Sequence, residues 1–104
     1  MSNTDMTTAN TIIAQLGRST GMLAAMLEAH SFVGGDDMVQ FSFKAKATNK
    51  ANKVRIVLDA SDTYTVEFWY VRGATCVQRS SLEGVYADQL RPIFESATGL
   101  RVSL

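Results

Sequence analysis

The side chains best suited to covalent chemistry are scarce in this chain. His30 is the only histidine and Cys76 the only cysteine, so a Cys–His nucleophilic pair would have to come from two distant elements. No serine stands in a nucleophile elbow, and no glycine-rich loop carries the phosphate-binding pattern. The sequence therefore favours a protein that binds over an enzyme, and it predicts no catalytic residues.

Metal chemistry has equally little support in the sequence. Asp36 and Asp37 are neighbours that could touch a divalent cation. Adjacent aspartates beside paired glycines are, however, far more typical of a plain turn. No pair of His or Cys residues has metal-ligand spacing. We therefore predict no metal site and no cofactor.

Cations and one tryptophan point instead to binding. The segment from Met38 to Leu58 contains no acidic residue but holds Lys44, Lys46, Lys50, Lys53 and Arg55. A wide indole beside such cations can stack on a base or anchor a protein partner. Two plainer interpretations remain open, in which the lysines only keep the sheet edge soluble and Trp69 packs beneath the helix Met22 to His30 or against a twisted strand. The predicted partner-binding residues are Trp69, Val57, Val71, Lys44, Lys46, Lys53 and Arg55.

A β-sheet is the element that would hold these side chains on one surface. Apolar residues alternate with polar ones from Val39 to Lys46, from Lys53 to Asp59 and from Tyr64 to Val71, which predicts three half-buried strands. Thr75 to Ser80 predicts a short edge strand. Short connections favour an antiparallel meander, and the predicted outward face carries the cations together with Trp69.

Helices are predicted in the chain before the first of these strands and after the last. Ala9 to Leu16 and Met22 to His30 have helical spacing, with a break between Gly17 and Gly21 and a turn over residues 32–37. A last amphipathic helix starts near Asp88, and its apolar stripe comprises Tyr86, Leu90, Ile93, Phe94 and Ala97. The fold class is therefore α+β: an antiparallel three- to four-stranded meander with an N-terminal helical segment and a C-terminal helix packed on one face.

Composition limits the classes to which the protein can belong. With 104 residues, 46% of them hydrophobic, the chain suits one domain over residues 9–104, preceded by a polar, disordered start over residues 1–8. The formal net charge is zero, so any attraction to a polyanion must be local. A lone cysteine, with no signal peptide or membrane span, predicts a cytoplasmic protein that does not bind membranes.

Three segments of the chain together resemble a known group of proteins. They are Thr11 to Gly17, then Lys50 to Val54 with Asp62 to Tyr64, and finally Glu83 to Leu90 running on to Thr98 to Leu100. They resemble a family of small, uncharacterised proteins encoded by bacteriophages and prophages. The resemblance implies the cytoplasm of an infected bacterium and supplies no activity and no catalytic residues. It also leaves open that Met22 to His30 forms a strand instead of a helix.

Three functional hypotheses follow from these features. The first is a non-enzymatic phage protein that inhibits or modulates a host or defence protein through the face around Trp69. The second is a single-stranded nucleic-acid-binding protein that uses Lys44, Lys46, Lys53, Arg55 and Trp69. The third is a structural phage component, or a homodimer that pairs through an edge strand. Salt dependence separates the first two, because phosphate binding weakens steeply as salt rises.

Overall fold

The elements follow one another in a helix–sheet–helix order. The computed structural model describes residues 7–17 and 19–100. Within them, the elements are α1 (Thr7–Gly17), α2 (Thr20–Leu27), β1 (Ala29–Gly34), β2 (Met38–Phe43), β3 (Lys53–Leu58), β4 (Tyr64–Arg72), β5 (Thr75–Val85), a 3-10 turn (Ala87–Gln89) and α3 (Leu90–Thr98). The strands form one antiparallel sheet in the order β1-β2-β3-β4-β5.

The core lies between one face of the sheet and the helices. Strand alternation sends to that face the buried side chains of Val39, Phe41, Phe43, Val54, Ile56, Tyr64, Val66 and Phe68. Phe94 of α3 packs on two of them, with ring centroids 5.9 Å from Phe43 and 5.8 Å from Phe68. The predicted α+β class, the antiparallel meander and the C-terminal helix on one face are confirmed.

The described sheet has five strands rather than the predicted three to four. The predicted helix Met22 to His30 ends early, because Glu28 adopts a left-handed conformation (φ 55) that closes α2 after Leu27. Residues 32–34, predicted as part of a turn, lie in β1. A bulge between His30 and Val33, with Ser31 at φ 58, interrupts the alternation of β1 and hides it from the sequence pattern.

Several element ends also differ from their predicted positions. Strand β2 stops at Phe43, so Lys44 and Lys46 lie in the following loop instead of on the strand. Strand β5 runs to Val85, five residues beyond its predicted end. Tyr86 precedes the helical turn and is 61% exposed, so it is not part of the apolar stripe of α3. Helix α1 begins at Thr7, whereas residues 1–6 lie outside the described part.

Loop 44–52, between β2 and β3, is fastened at several points. The Ala45 N–H donates to the Leu27 carbonyl at 3.1 Å, and the Thr48 N–H donates to the Thr98 carbonyl at 2.8 Å. The Thr48 hydroxyl also donates to the Ala97 carbonyl at 3.3 Å. These hydrogen bonds hold the loop backbone against the ends of α2 and α3, and they therefore fix where the lysine side chains of the loop begin.

Candidate functional site

The outer face of the sheet, turned away from the helices, carries cations on neighbouring strands. Lys53 of β3 stands directly opposite Trp69 of β4. Arg55 stands opposite Gln40 on one side and opposite Glu67 on the other. Directly opposed side chains in an antiparallel pair lie about 5 Å apart at Cβ, so these five residues form one continuous surface.

Trp69 lies on this outer face and is half-buried. Its indole Nε1–H donates to Glu67 Oε1 at 3.1 Å, which fixes the orientation of the ring. Val71, two residues along β4, stands opposite Cys76 of β5 and continues the same face. The register places Trp69 and Val71 on the face turned away from the helices, which is the outward one of the positions that the sequence left open.

Three adjoining pockets follow the cations across this end of the sheet. The first, of about 160 Å³, is lined by Gln40, Lys53, Arg55, Trp69, Val71 and Cys76. The second, of about 380 Å³, shares Lys53 and Val71 with the first and adds Lys44 to its walls. The third, of about 260 Å³, shares Lys44 with the second and adds Lys46 and Lys50. Its walls also include Phe43 and Tyr70 from the helix-facing side, so it lies round the end of the sheet rather than on the outer face. We call this row of pockets the basic groove.

The charges of this neutral chain are segregated along the strands. Lys44, Lys46 and Lys50 follow the end of β2, whereas Asp36 and Asp37 precede its start. Asp59 and Asp62 lie in the turn between β3 and β4, at the same end as the first aspartates because the strands are antiparallel. No Asp or Glu is among the described wall residues of the three pockets. The carboxylate beside these cations is that of Glu67, which stands directly opposite Arg55 and accepts from the Trp69 indole N–H.

Asn52 extends the sheet beyond the first residue of β3. Its Nδ2 donates to the Val71 carbonyl and its Oδ1 accepts from the Val71 N–H, both at 2.8 Å. The Asn52 N–H in turn donates to the Trp69 carbonyl at 2.8 Å. These bonds hold the start of β3 against β4, which sets Lys53 beside Trp69.

Most of the predicted site residues converge on the groove. Lys44, Lys46, Lys53, Arg55, Trp69 and Val71 all line it. Val57 does not, because it pairs with Met38 and Thr65 at the acidic end of the sheet. Gln40, Asn52 and Cys76 also line the groove, although the sequence did not predict them as site residues. The signal that would have found them is the cross-strand register, which a single sequence does not supply.

The residues considered for catalysis are not brought together. His30 lies on β1 and Cys76 on β5, at opposite edges of the sheet. Four inter-strand spacings separate them, or roughly 19 Å along the sheet. Asp36 and Asp37 form an exposed bend, and no group of three or more His, Cys, Asp or Glu within residues 7–17 and 19–100 could hold a metal ion.

None of the described helices has the length and apolarity that crossing a membrane would require. Comparison of the chain with protein-family models, with curated proteins and with solved structures finds no match. The resemblance to phage proteins, and with it the host compartment, therefore stays a prediction.

Proposed function

We propose that this chain is a non-enzymatic protein that binds single-stranded nucleic acid along the basic groove. The observation that carries the proposal is the charge segregation: five cations, Lys44, Lys46, Lys50, Lys53 and Arg55, line adjoining pockets whose described walls contain no carboxylate. A zero net charge supplies no long-range attraction, so a local cationic row is the arrangement that a neutral phosphate-binding protein needs.

The four aspartates at the far end of the sheet support the same partner. Had Asp36, Asp37, Asp59 and Asp62 stood among the lysines, they would have repelled a polyanion. Their position instead leaves one end of the sheet cationic and the other anionic. A phosphate backbone would therefore be oriented along the groove, towards loop 44–52 and away from the turn between β3 and β4.

A protein partner has weaker support on this surface. The large hydrophobic side chains that are exposed in the described part are Val33, Val77, Leu82 and Tyr86, and none of them lines the groove. Protein interfaces typically centre on apolar and aromatic residues with few charges at their core. The hypothesis of a phage protein that modulates a host or defence protein remains a prediction. It would become the favoured one if the groove did not bind nucleic acid.

Equilibrium binding at two salt concentrations tests the proposal. The fluorescence anisotropy of a labelled oligothymidine is measured against protein at about 50 mM and about 200 mM salt, the range over which phosphate contacts weaken strongly. We expect saturable binding at the lower salt and a steep loss at the higher one. Absence of binding at the lower salt would contradict the proposal, as would an affinity that salt leaves unchanged.

A further inference from the structure

The first pocket of the groove has the size of one aromatic ring. Its volume of about 160 Å³ is close to that of the cavity of about 150 Å³ that suffices for benzene, and well below the 300 Å³ or so at which sites for larger molecules begin. We infer that this pocket takes one unpaired base of the bound strand. The inference rests on the proposed function and adds dependence on bases to attraction by phosphates.

Trp69 offers the base the face of its indole ring. Because Nε1–H already donates to Glu67, the indole has no free donor for the edge of a base, and its π-face is what remains for contact. Bases of every kind stack on aromatic faces, so this contact is tolerant of sequence. Val71 forms an apolar wall beside the ring, which suits a flat, weakly polar ligand better than a phosphate.

Polar groups at the wall of the pocket face the edge of such a base. Gln40 and Arg55 are directly opposed across β2 and β3, and both line the pocket. The Gln40 amide can donate and accept, whereas the guanidinium of Arg55 only donates. Together they match the mixed donors and acceptors along the edge of a base, which a bare phosphate lacks.

Lys53 connects the base pocket to the rest of the groove. It is a wall of both the first and the second pocket, so a phosphate next to the inserted base would meet its ammonium group. The following phosphates would meet Lys44 and then Lys46 and Lys50 in loop 44–52. A duplex hides the faces of its bases in the stack, so this arrangement selects single strands.

Trp69 is also a built-in reporter, because it is the only tryptophan in the chain. Its fluorescence is titrated at low salt with a labelled oligothymidine and with an abasic strand of the same length, while anisotropy follows binding. We expect the thymine strand to quench Trp69 and the abasic strand to bind roughly 5- to 150-fold more weakly without quenching, the loss that follows from one stacked base.

The same titrations distinguish failure of the base pocket from failure of nucleic-acid binding as a whole. Equal affinity for both strands would overturn the base pocket and leave phosphate binding in place. Binding of neither strand would overturn both and favour a protein partner. Quenching by the abasic strand would show that Trp69 senses phosphate rather than a base, and it would also overturn the inference.

Substitutions locate the effect in the pocket. Trp69→Ala should weaken thymine-strand binding roughly 5- to 150-fold, whereas Trp69→Phe, which keeps an aromatic face, should lose less. Gln40→Ala removes a partly buried amide without touching the ring, and we expect a loss of roughly 3- to 10-fold confined to the thymine strand. Tyr86→Ala is the matched control, because Tyr86 is aromatic, 61% exposed and outside the groove. A loss in Gln40→Ala that is equal for both strands would contradict the inference.

Discussion

Removing two charges from loop 44–52 should change the salt dependence of binding by a calculable amount. Lys44 and Lys46 are exposed and line the third pocket. Each phosphate contact on a single strand contributes about −0.7 to the slope of log affinity against log salt. The four lysines assigned to phosphates, Lys44, Lys46, Lys50 and Lys53, therefore set a slope of roughly −2.8, which corresponds to about a 50-fold loss between about 50 mM and about 200 mM salt.

The double variant Lys44→Gln/Lys46→Gln keeps the loop backbone and much of each side-chain stem. It should reduce the slope to roughly −1.4, so the loss of affinity over the same range of salt shrinks to about 7-fold. Adding Asp37→Asn and Asp62→Asn, at the far end of the sheet from the lysines, returns the net charge of the whole chain to zero. Asn also tolerates the left-handed conformation of residue 62 (φ 63).

Anisotropy titrations at four or more salt concentrations give both slopes. If the groove binds the phosphates, the quadruple variant keeps the reduced slope of the double variant. If net charge alone governs binding, the slope returns to that of the unchanged chain, and the assignment of phosphate contacts to loop 44–52 is refuted. An unchanged slope in the double variant would refute it as well.

Three further results are expected. Glu67→Gln keeps an acceptor for the Trp69 indole but removes the carboxylate beside the groove, so oligothymidine should bind tighter by about fivefold, or about 1 kcal/mol, in the same anisotropy assay; weaker binding would contradict this. Phe94→Ala should lower the free energy of unfolding in urea by about 3–5 kcal/mol, since its ring is buried on the sheet; a loss below about 1 kcal/mol would contradict the core packing. Burial, and after it the charge of Asp62, raises the pKa of Tyr64 above 10.0, whereas the hydrogen bond to Gln15 lowers it. The unfolded chain therefore loses this proton at a lower pH than the folded protein does, so stability should fall as pH rises above about 10. Tyr64→Phe should lessen that fall, and an unchanged alkaline profile in the variant would contradict this prediction.

The period of the hydrophobic pattern predicted those strands in which successive side chains alternate strictly between the two faces of the sheet. Within β2, β3 and β4 the alternation is regular, and the two faces of each strand follow it. Strand β1 breaks that rule through its bulge and the left-handed Ser31, so no period-two pattern could reveal it. Helix α2 likewise ends after Leu27, because Glu28 is left-handed, although glutamate is a strong helix former and its type does not predict that conformation.

Some features of the candidate site could likewise be predicted from local sequence, whereas others depend on how the strands are arranged. The run of cations from Lys44 to Arg55 follows from local sequence, whereas the outward position of Trp69 was one of two that the sequence left open and is decided by its pairing with Lys53. The separation of the four aspartates from these lysines depends on which ends of the strands meet, and therefore on topology. The place of Gln40 opposite Arg55, and that of Cys76 opposite Val71, depends on register between strands, which is set by loop lengths and packing.

Amide chemical-shift mapping tests most directly whether the basic groove is the binding surface. A ¹⁵N-labelled sample is titrated with oligothymidine at low salt, and the shift of each backbone amide is followed to saturation. We expect the largest changes over residues 42–55 and 69–78, with the indole N–H of Trp69 among them and little change in α1 or α3. Shifts centred on the helices or on the turn of Asp59 to Asp62, with the groove unaffected, would contradict the account.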